Sequence, residues 1–447
     1  MNLFLFDGLA LVMVALVAIV ALVITSFSRR YMDGDKNQKS FFQTLGALSC
    51  VSFVLVLSNH IALFISAWAL MGILLARLIG HVRNWEQARC ASKIALRHFI
   101  FGTLCLLVAL AWLGIESGYW TITSILENLA HINALTLWGS GSLIALSAIV
   151  QSALIPFHKW LLASMTAPTP VSAFMHAGLV NAGGFLIVRF APLYSVLPEL
   201  LLAFFIVGAF TALIASYWML AQNDIKRMLG CSTSAQMGFM VLQCGLGFYS
   251  AAIAHLVLHG FYKAYHFLAA GSSIGASAPS EQQTRNIFPN TKHFVSRWPI
   301  MLAGGVSAAL VFAQMTGKTI YLNNIFMNDG GSVLVIFVAL AGFQAASSLA
   351  ALRHLSYLSR LSGTVILSVL AAALYSVLFN MLSTLIPVDA VQPLTYTHLA
   401  VVMIFATFWL AMHAGVHRKS ARAYMAALNG AQPPSSTILA DRRHYHA

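Results

Sequence analysis

Apolar runs of about 20 residues recur along the whole chain and are separated by short polar breaks. A helix of about 20 apolar residues crosses the ~30 Å hydrocarbon layer of a bilayer, and that layer has no water to satisfy an open strand. The predicted spans are 3–26, 43–58, 60–80, 94–115, 135–163, 170–190, 198–220, 230–246, 250–274, 298–316, 331–351, 362–386 and 395–413. The pattern therefore predicts an all-α, polytopic membrane helix bundle of about 13 transmembrane helices.

Charge sorts the loops between these spans into two sets. Only 8% of the 447 residues are charged, yet the formal net charge is +13. One set of loops and the tail carry Arg29, Arg30, Lys36, Lys39, Arg83, Arg89, Arg97, Lys226, Arg227, Arg285, Lys292, Arg297, Arg353, Arg360, Arg418, Lys419, Arg422, Arg442 and Arg443. The alternate set carries Glu116, Glu127, Glu199, Asp329 and Asp389. The positive-inside rule predicts that the N-terminus lies outside and the C-terminus in the cytoplasm.

This explanation of the basic residues excludes nucleic acid as the expected partner, because no basic domain accompanies them. The first run has neither a basic segment before it nor a small-residue cleavage site, so we expect it to remain as a helix. Five cysteines form no C-x-x-C pair, which gives no metal site or disulfide framework. We expect one transmembrane domain over 1–417 and a short, disordered cytoplasmic tail over 418–447.

The strongest polar feature is a stripe inside the span 250–274. Its members are spaced by three, four and seven residues on one helical face: His255, His259, Tyr262, Lys263 and His266. Ionisable groups are costly in hydrocarbon and usually serve transport, and histidine exchanges protons near neutral pH. The stripe therefore favours a proton relay. The alternatives are a structural hydrogen-bonding stripe between helices and a metal site formed by histidines four residues apart.

Two further features lie upstream. Pro156, in the stretch LIPFH that ends at His158, should break the span 135–163, since proline lacks an N–H donor. Broken helices at membrane depth often line ion paths, although an ordinary proline kink is an equal alternative. A proline-rich turn then leads into a helix that carries His176, and Asp224 stands beside Lys226 in a charged loop.

These segments together resemble the antiporter-like membrane subunits of respiratory complex I and of multi-subunit sodium/proton antiporters. The matching stretches, in the family's order, are PFHKWLLASMTAPTPVSAFMHAGLV, QNDIKRMLGCSTSAQMGF and AAIAHLVLHGFYKAYHFLAAGS, within residues 150–275. The resemblance implies an antiporter-like fold whose first discontinuous helix ends near Leu162. It also implies central proton-path residues at His176, Lys226, His255, His259 and Lys263. Asp224, Gln151, His158, Tyr262 and His266 are possible supporting residues.

The chain also departs from the family's pattern. Trp68 is followed by Ala69, where family members usually carry a glutamate, and the family's lysine in the broken helix falls on Gln151. Both members of the family's coupling pair are therefore replaced. The two stretches HAGLVNAGGFLIVRFAPL and LHGFYKAYHFLAAGS are most similar to the DabB subunits of the two-component DAB inorganic carbon accumulation complex.

That similarity implies a proton- or cation-conducting subunit of the bacterial inner membrane with no catalytic residue or cofactor of its own. The implied partner is a DabA-like zinc protein, related to β-carbonic anhydrases, which docks on the cytoplasmic face and hydrates CO2 to bicarbonate. One alternative is a proton-pumping subunit of a complex I-like or hydrogenase-linked respiratory complex. Another is a component of a sodium/proton antiporter, and the coupling ion stays open between protons and sodium.

As the mechanism, we expect protons to enter near His176, pass Lys226 and reach the stripe of His255, His259 and Lys263. Water would enter where the helices are broken. The exit route is open among Lys318, His354 and His398, and an outlet on the opposite side of the membrane is equally compatible with the sequence.

Overall fold

A computed structural model of the chain describes residues 3–271, 297–318, 329–352, 355–413, 415 and 420–432, apart from the side chains of residues 348 and 413. The first helices are α1 (Gly8–Tyr31), α2 (Gln38–Leu57), α3 (Ile61–Ile79), α4 (Glu86–Ser117), α5 (Ile122–Glu127), α6 (Ala134–Gln151), α7 (Lys159–Ala163), α8 (Thr169–Ala177) and α9 (Ala182–Arg189). The later ones are α10 (Ala191–Ser195), α11 (Pro198–Met219), α12 (Ile225–Gly245), α13 (Tyr249–Ala269), α14 (Trp298–Thr316), α15 (Gly330–Ala350), α16 (Tyr357–Leu385), α17 (Tyr396–His413) and α18 (Ala421–Gly430).

Within the described residues, ten helices are long and apolar enough to cross a membrane, with α8 and α9 taken together as one of them. They expose large apolar side chains such as Leu11 and Leu22 of α1, which suit a lipid environment. The all-α membrane fold is thereby confirmed. The predicted number of about 13 spans is not confirmed. The 21-residue helices α12 and α13, which carry most of the predicted site, are outside the set of ten.

The chain divides into two units. One comprises residues 1–245, 255–271 and 415–447, and the other comprises 246–254 and 272–414. The residues of the predicted proton path all belong to the first unit. The boundary falls inside α13, which is continuous from Tyr249 to Ala269.

Close packing of α11 against α12 fixes the helix that carries Lys226. Gly208 of α11 faces Gly238 of α12, and a Cβ on Gly208 would come 2.5 Å from the Gly238 carbonyl oxygen. Small residues permit such backbone contact between membrane helices. A larger side chain at either glycine would therefore push the two helices apart.

The stretch expected to be a disordered tail differs in its first half, where α18 forms. The Ser420 side chain caps it by accepting a hydrogen bond from the Ala423 N–H at 3.3 Å. Ala427 and Ala431 are buried in a cluster that includes Trp218 and Leu162, and Tyr217 Oη donates to the Ala423 carbonyl. The small apolar face of α18 thus packs against α11, although the mainly polar composition of this stretch predicts no such packing.

Candidate proton path

The predicted break in the span 135–163 is present. Helix α6 ends at Gln151, α7 begins at Lys159, and Pro156 lies between them. Ala153 has φ of +52°, a left-handed conformation that is uncommon outside glycine. The Trp160 indole N–H donates to the Val150 carbonyl at 2.9 Å, which satisfies an oxygen at the broken end of α6.

A second break, not anticipated from the sequence, divides the span 170–190. Helix α8 ends at Ala177, a 3₁₀ turn covers Leu179–Asn181, and α9 begins at Ala182. Gly178 adopts φ −128° and ψ −62° at this point, outside the helical range. The Asn181 side-chain amide donates to the Ala177 carbonyl at 2.9 Å. Gly178 followed closely by Asn181 was the only signal for this break in the sequence.

The two breaks bond directly to each other. Gln151 Nε2 donates to the Leu179 carbonyl at 3.0 Å, and Ser152 Oγ donates to the Val180 carbonyl at 3.0 Å. We call these four residues the junction. The end of α6 thereby adds side-chain donors to two carbonyls of the 3₁₀ turn that follows α8, where the α-helical hydrogen bonding is interrupted.

His176 lies in the last turn of α8 and is fully buried. Its ring stacks on Phe267 at a centroid distance of 4.3 Å, and its Nδ1 is 3.0 Å from Thr233 Oγ1. The Thr233 hydroxyl itself donates to the Leu229 carbonyl at 2.9 Å, so towards His176 it is the acceptor. With the hydroxyl oriented in this way, neutral His176 carries its proton on Nδ1. Its Nε2 has no hydrogen-bond partner within the described residues and is free to accept a proton.

Lys263 of α13 is also fully buried, and its Nζ donates to the same Leu229 carbonyl at 2.9 Å. A single backbone oxygen therefore joins Lys263 to Thr233 and, through Thr233, to His176. Lys263 forms no ion pair with a carboxylate in the part of the chain that the structure describes. A buried lysine without a counter-ion is costly, which is typical of a functional group and not of a structural one.

His259 continues this arrangement one turn before Lys263. It is buried, and its Nε2 has no hydrogen-bond partner among the described residues. The His255 ring follows at a centroid distance of 6.0 Å and contacts Phe239 at 5.4 Å. His255, His259 and Lys263 thus form a row about 12 Å long along the helix axis.

We call His176, Lys226, His259 and Lys263 the cationic cluster. Lys226 is half-buried near the start of α12, and its Nζ donates to the Ala167 carbonyl just before α8 at 2.9 Å. Lys263 is joined to His176 through the Leu229 carbonyl and Thr233, and it follows His259 by one turn of α13. The cluster therefore extends from the entrance of α12 to the middle of α13.

The supporting residues occupy different places. Asp224 is a helix cap, since its Oδ1 accepts the Arg227 N–H at 2.7 Å. Tyr262 is 54% exposed and contacts the His266 ring at 4.2 Å, on a side of α13 that also exposes Tyr265. His158 is buried in the first break, 4.5 Å from the Trp218 ring.

Two polar contacts were missed from the sequence. Thr233 lies seven residues after Lys226, on the same face of α12, and that spacing could have revealed it. Arg189, buried at the end of α9, donates from Nη1 to Asp7 Oδ2 at 2.5 Å and from Nη2 to Asp7 Oδ1 at 3.3 Å. These two residues are 182 positions apart, so no local pattern could indicate their pairing.

The exit candidates of the second unit lie in different surroundings. Lys318 Nζ lies 5.1 Å from the Phe248 ring centroid, and His398 is buried with Nδ1 2.8 Å from Thr395 Oγ1. His354 lies outside the described residues. Nearby, Asp389 Oδ1 accepts the Ser250 N–H at 2.8 Å in the first turn of α13. Burial raises the pKa of the Asp389 carboxyl, and the Ser250 bond partly opposes that rise.

A metal site at His255 and His259 would need further ligands close to these two histidines. Within the described ranges, no three His, Cys, Asp or Glu side chains come together in a way that could hold a metal ion.

Fold and site together define a polytopic helical membrane protein with two interrupted helices and buried bases between them. Comparison with known families agrees. Residues 58–344 match the family described as NADH:quinone oxidoreductase/Mrp antiporter, transmembrane, and residues 3–42 match the N-terminus of NADH-ubiquinone oxidoreductase (complex I) chain 5. The chain belongs to this family of membrane subunits, which confirms the resemblance drawn from its three motifs.

Several relatives refine this membership. A Bacillus anthracis protein named "Probable inorganic carbon transporter subunit DabB" is 36% identical over 71% of this chain and 64% of its own length. A similarly named protein, DabB1, of Halothiobacillus neapolitanus is 34% identical over 76% of this chain and 62% of its own length. NADH-ubiquinone oxidoreductase chain 5 of Schizophyllum commune is 34% identical over 68% of this chain and 44% of its own length. The chain thus spans less than two thirds of the length of these relatives.

A solved structure gives the same fold. The Mrp complex from Dietzia sp. DQ12-45-1b contains a chain that matches with a TM-score of 0.68 at 21% identity, over 98% of this chain and 52% of that one. The predicted antiporter-like fold is therefore confirmed.

Proposed function

We propose that this chain is the proton-conducting, or cation-conducting, membrane subunit of an energy-coupled inorganic carbon uptake complex. The observation that carries the proposal is the buried hydrogen-bonded connection from Lys263 through the Leu229 carbonyl and Thr233 to His176. The names of the DabB relatives support the inorganic carbon assignment. Catalysis would lie in a DabA-like zinc partner on the cytoplasmic face, because no catalytic centre is expected in this chain.

The mechanism reverses the order of His176 and Lys226 expected from the sequence. It begins at Lys226, whose half-buried side chain marks the mouth of the path beside α8. A proton that reaches His176 binds Nε2, since Nδ1 already donates to Thr233. The resulting imidazolium and the Lys263 ammonium repel each other in a site of low dielectric. Repulsion favours onward transfer to His259 and His255, so that one proton leaves as the next arrives.

We further propose that the protein lies in a bacterial inner membrane with the N-terminus outside and the C-terminus in the cytoplasm. The alternation of basic and acidic loops supports this orientation. Single cysteines placed at Asn128 and at Lys36, and labelled with a membrane-impermeant maleimide in intact cells, test it. Labelling at Asn128 alone is expected, and labelling at Lys36 alone would reverse the orientation.

Purification from native membranes tests the proposed complex. A tagged chain in mild detergent should retain a stoichiometric zinc protein with carbonic-anhydrase-like activity, measured by metal analysis and CO2 hydration. Co-purification of iron–sulfur or quinone-reactive subunits instead would favour a respiratory pump, the alternative supported by the 34% identity to chain 5 of complex I. Sodium-dependent proton exchange without a catalytic partner would favour an antiporter component.

A further inference from the structure

A small polar pocket lies away from the cationic cluster, where α2 begins and α3 ends. Its polar lining consists of Asn37, Ser40, Thr44, Arg77, His81 and Arg83. The first three belong to the start of α2, and the other three to the end of α3 and the loop that follows it. The proposed proton path uses none of these residues.

Positive charge in this pocket is poorly compensated. Arg77 Nη2 donates to Ser40 Oγ at 3.2 Å, and among the described residues neither Arg77 nor Arg83 forms an ion pair with a carboxylate. The neighbouring carboxylate of Asp35 is directed to His81, whose Nε2 lies 3.3 Å from both of its oxygens. Two guanidinium groups with spare donors therefore face one small space, an arrangement that suits an oxyanion.

The position of the pocket indicates which oxyanion it meets. Helices α2 and α3 are both of membrane-spanning length, so their ends lie at the level of the lipid headgroups. Val82 and Trp85 of the adjoining loop are 41% and 43% exposed, and tryptophan is enriched at this interface. The pocket volume of about 20 Å³ holds one oxygen-sized group and not a whole anion.

We propose that this pocket binds the phosphate of an anionic phospholipid. One phosphate oxygen accepts from spare Arg77 donors beside the Arg77–Ser40 hydrogen bond, Arg83 covers the remaining oxygens, and the acyl chains lie along the outer surface of α2 and α3. Basic pockets between membrane helices bind acidic headgroups in this way. Free phosphate has the same chemistry, but it lacks the acyl chains that would hold it at a pocket this small.

The test compares two double variants of the full chain in nanodiscs of phosphatidylcholine with a titrated fraction of phosphatidylglycerol. Arg77→Gln/Arg83→Gln removes both pocket charges. Arg29→Gln/Arg30→Gln removes two exposed charges from the end of α1 and serves as the matched control. Bound lipid is counted by native mass spectrometry, and thermal melting in phosphatidylcholine alone reports on folding.

We expect the pocket variant to bind phosphatidylglycerol about tenfold more weakly than the control, which corresponds to about 1.4 kcal/mol. It should also lose one tightly held lipid per chain while its melting temperature in phosphatidylcholine stays unchanged. Equal lipid retention by both variants would overturn the proposal. A further arm adds inorganic phosphate, and displacement of the lipid at equal concentration would assign the pocket to a free anion and overturn the lipid assignment.

Discussion

The junction and the cationic cluster are both buried and polar, and they belong to the same unit, yet their hydrogen bonding is opposite. At the junction, the Gln151 and Ser152 side chains donate to the Leu179 and Val180 carbonyls. In the cluster, the Nε2 atoms of His176 and His259 have no partner among the described residues. A hydrogen-bonded contact holds the ends of the broken helices together, whereas unpartnered ring nitrogens beside buried amines are able to exchange protons.

The surroundings of the junction extend this contrast. A cavity of about 30 Å³ beside the second break is lined almost entirely by apolar side chains, among them Met71, Phe174 and Phe185. Met71 follows closely after Ala69, where the family's glutamate is expected from the resemblance. The cavity beside the junction is therefore mainly apolar, whereas the cluster places two histidines and two lysines close together.

The largest effect on proton flux is expected when the cluster loses the lysine or the histidine that α13 contributes. Lys263→Met and His259→Ala should each abolish coupled activity in reconstituted vesicles while the protein remains inserted, because each removes a proton-exchanging group. Proton uptake is measured with an internal pH dye. His266→Ala, on the exposed side of the same helix, is the matched control and should retain activity. Full activity in both cluster variants would eliminate the relay.

A smaller loss is expected for Thr233→Val, which keeps the side-chain volume and removes the acceptor for His176 Nδ1. The imidazole then loses its fixed tautomer, and proton flux should fall about tenfold, equivalent to about 1.4 kcal/mol on the barrier. Thr233→Ser keeps the hydroxyl and should restore most of the flux. An equal loss in both variants would show that packing, and not the hydroxyl, is what matters.

Substitutions at the junction should lower the stability of the protein and change its proton flux very little. Gln151→Leu leaves the Leu179 carbonyl with the Ala182 N–H as its remaining donor, and the loss of the Gln151 bond costs about 1 kcal/mol. Thermal melting in detergent measures the loss, and flux is normalised to folded protein. Gln151→Met is a useful companion, since it keeps the length of the side chain and removes the donor. A variant of normal stability that has lost its flux would place the junction inside the path.

The smallest effect is expected at α18, which packs beside the first break. A Cβ on Gly430 would come 2.6 Å from Trp218 Cε2, so Gly430→Ala should loosen α18 and lower the melting temperature slightly. Gly46→Ala, which meets open space in the middle of α2, is the matched control. Limited proteolysis should cleave the Gly430 variant near residue 420 faster than the control. Identical cleavage would mean that Trp218 does not hold the helix.

The length of the apolar runs predicted the fold. Polar residues within those runs predicted the proton path. His255, His259 and Lys263 could be predicted because helical spacing alone places them on one face. Pro156 likewise predicted the first break in a helix. The second break was missed because glycine is common in membrane helices, so Gly178 did not stand out. Tyr262 was grouped with the stripe by spacing, and the centroid of its half-exposed ring lies 5.8 Å from Lys263 Nζ.

The sequence could not show which polar residues have hydrogen-bond partners, and this is what distinguishes the cluster from the junction. Gln151 and His176 both appear as polar residues in apolar surroundings, and only tertiary contacts decide which of them has its hydrogen bonds filled. Helix α18 was likewise not anticipated, because its small residues become an apolar face only when Trp218 is placed against them.

The Leu229 carbonyl, which accepts from both Lys263 and Thr233, has a consequence for how this chain can change in length. Adding or deleting one residue between Leu229 and Thr233 would rotate the rest of α12 by about 100°. Thr233 would then face away from His176 while Lys263 kept its bond. Insertions and deletions should therefore be tolerated in the loops around this helix and rejected within this one turn, whatever amino acids they introduce.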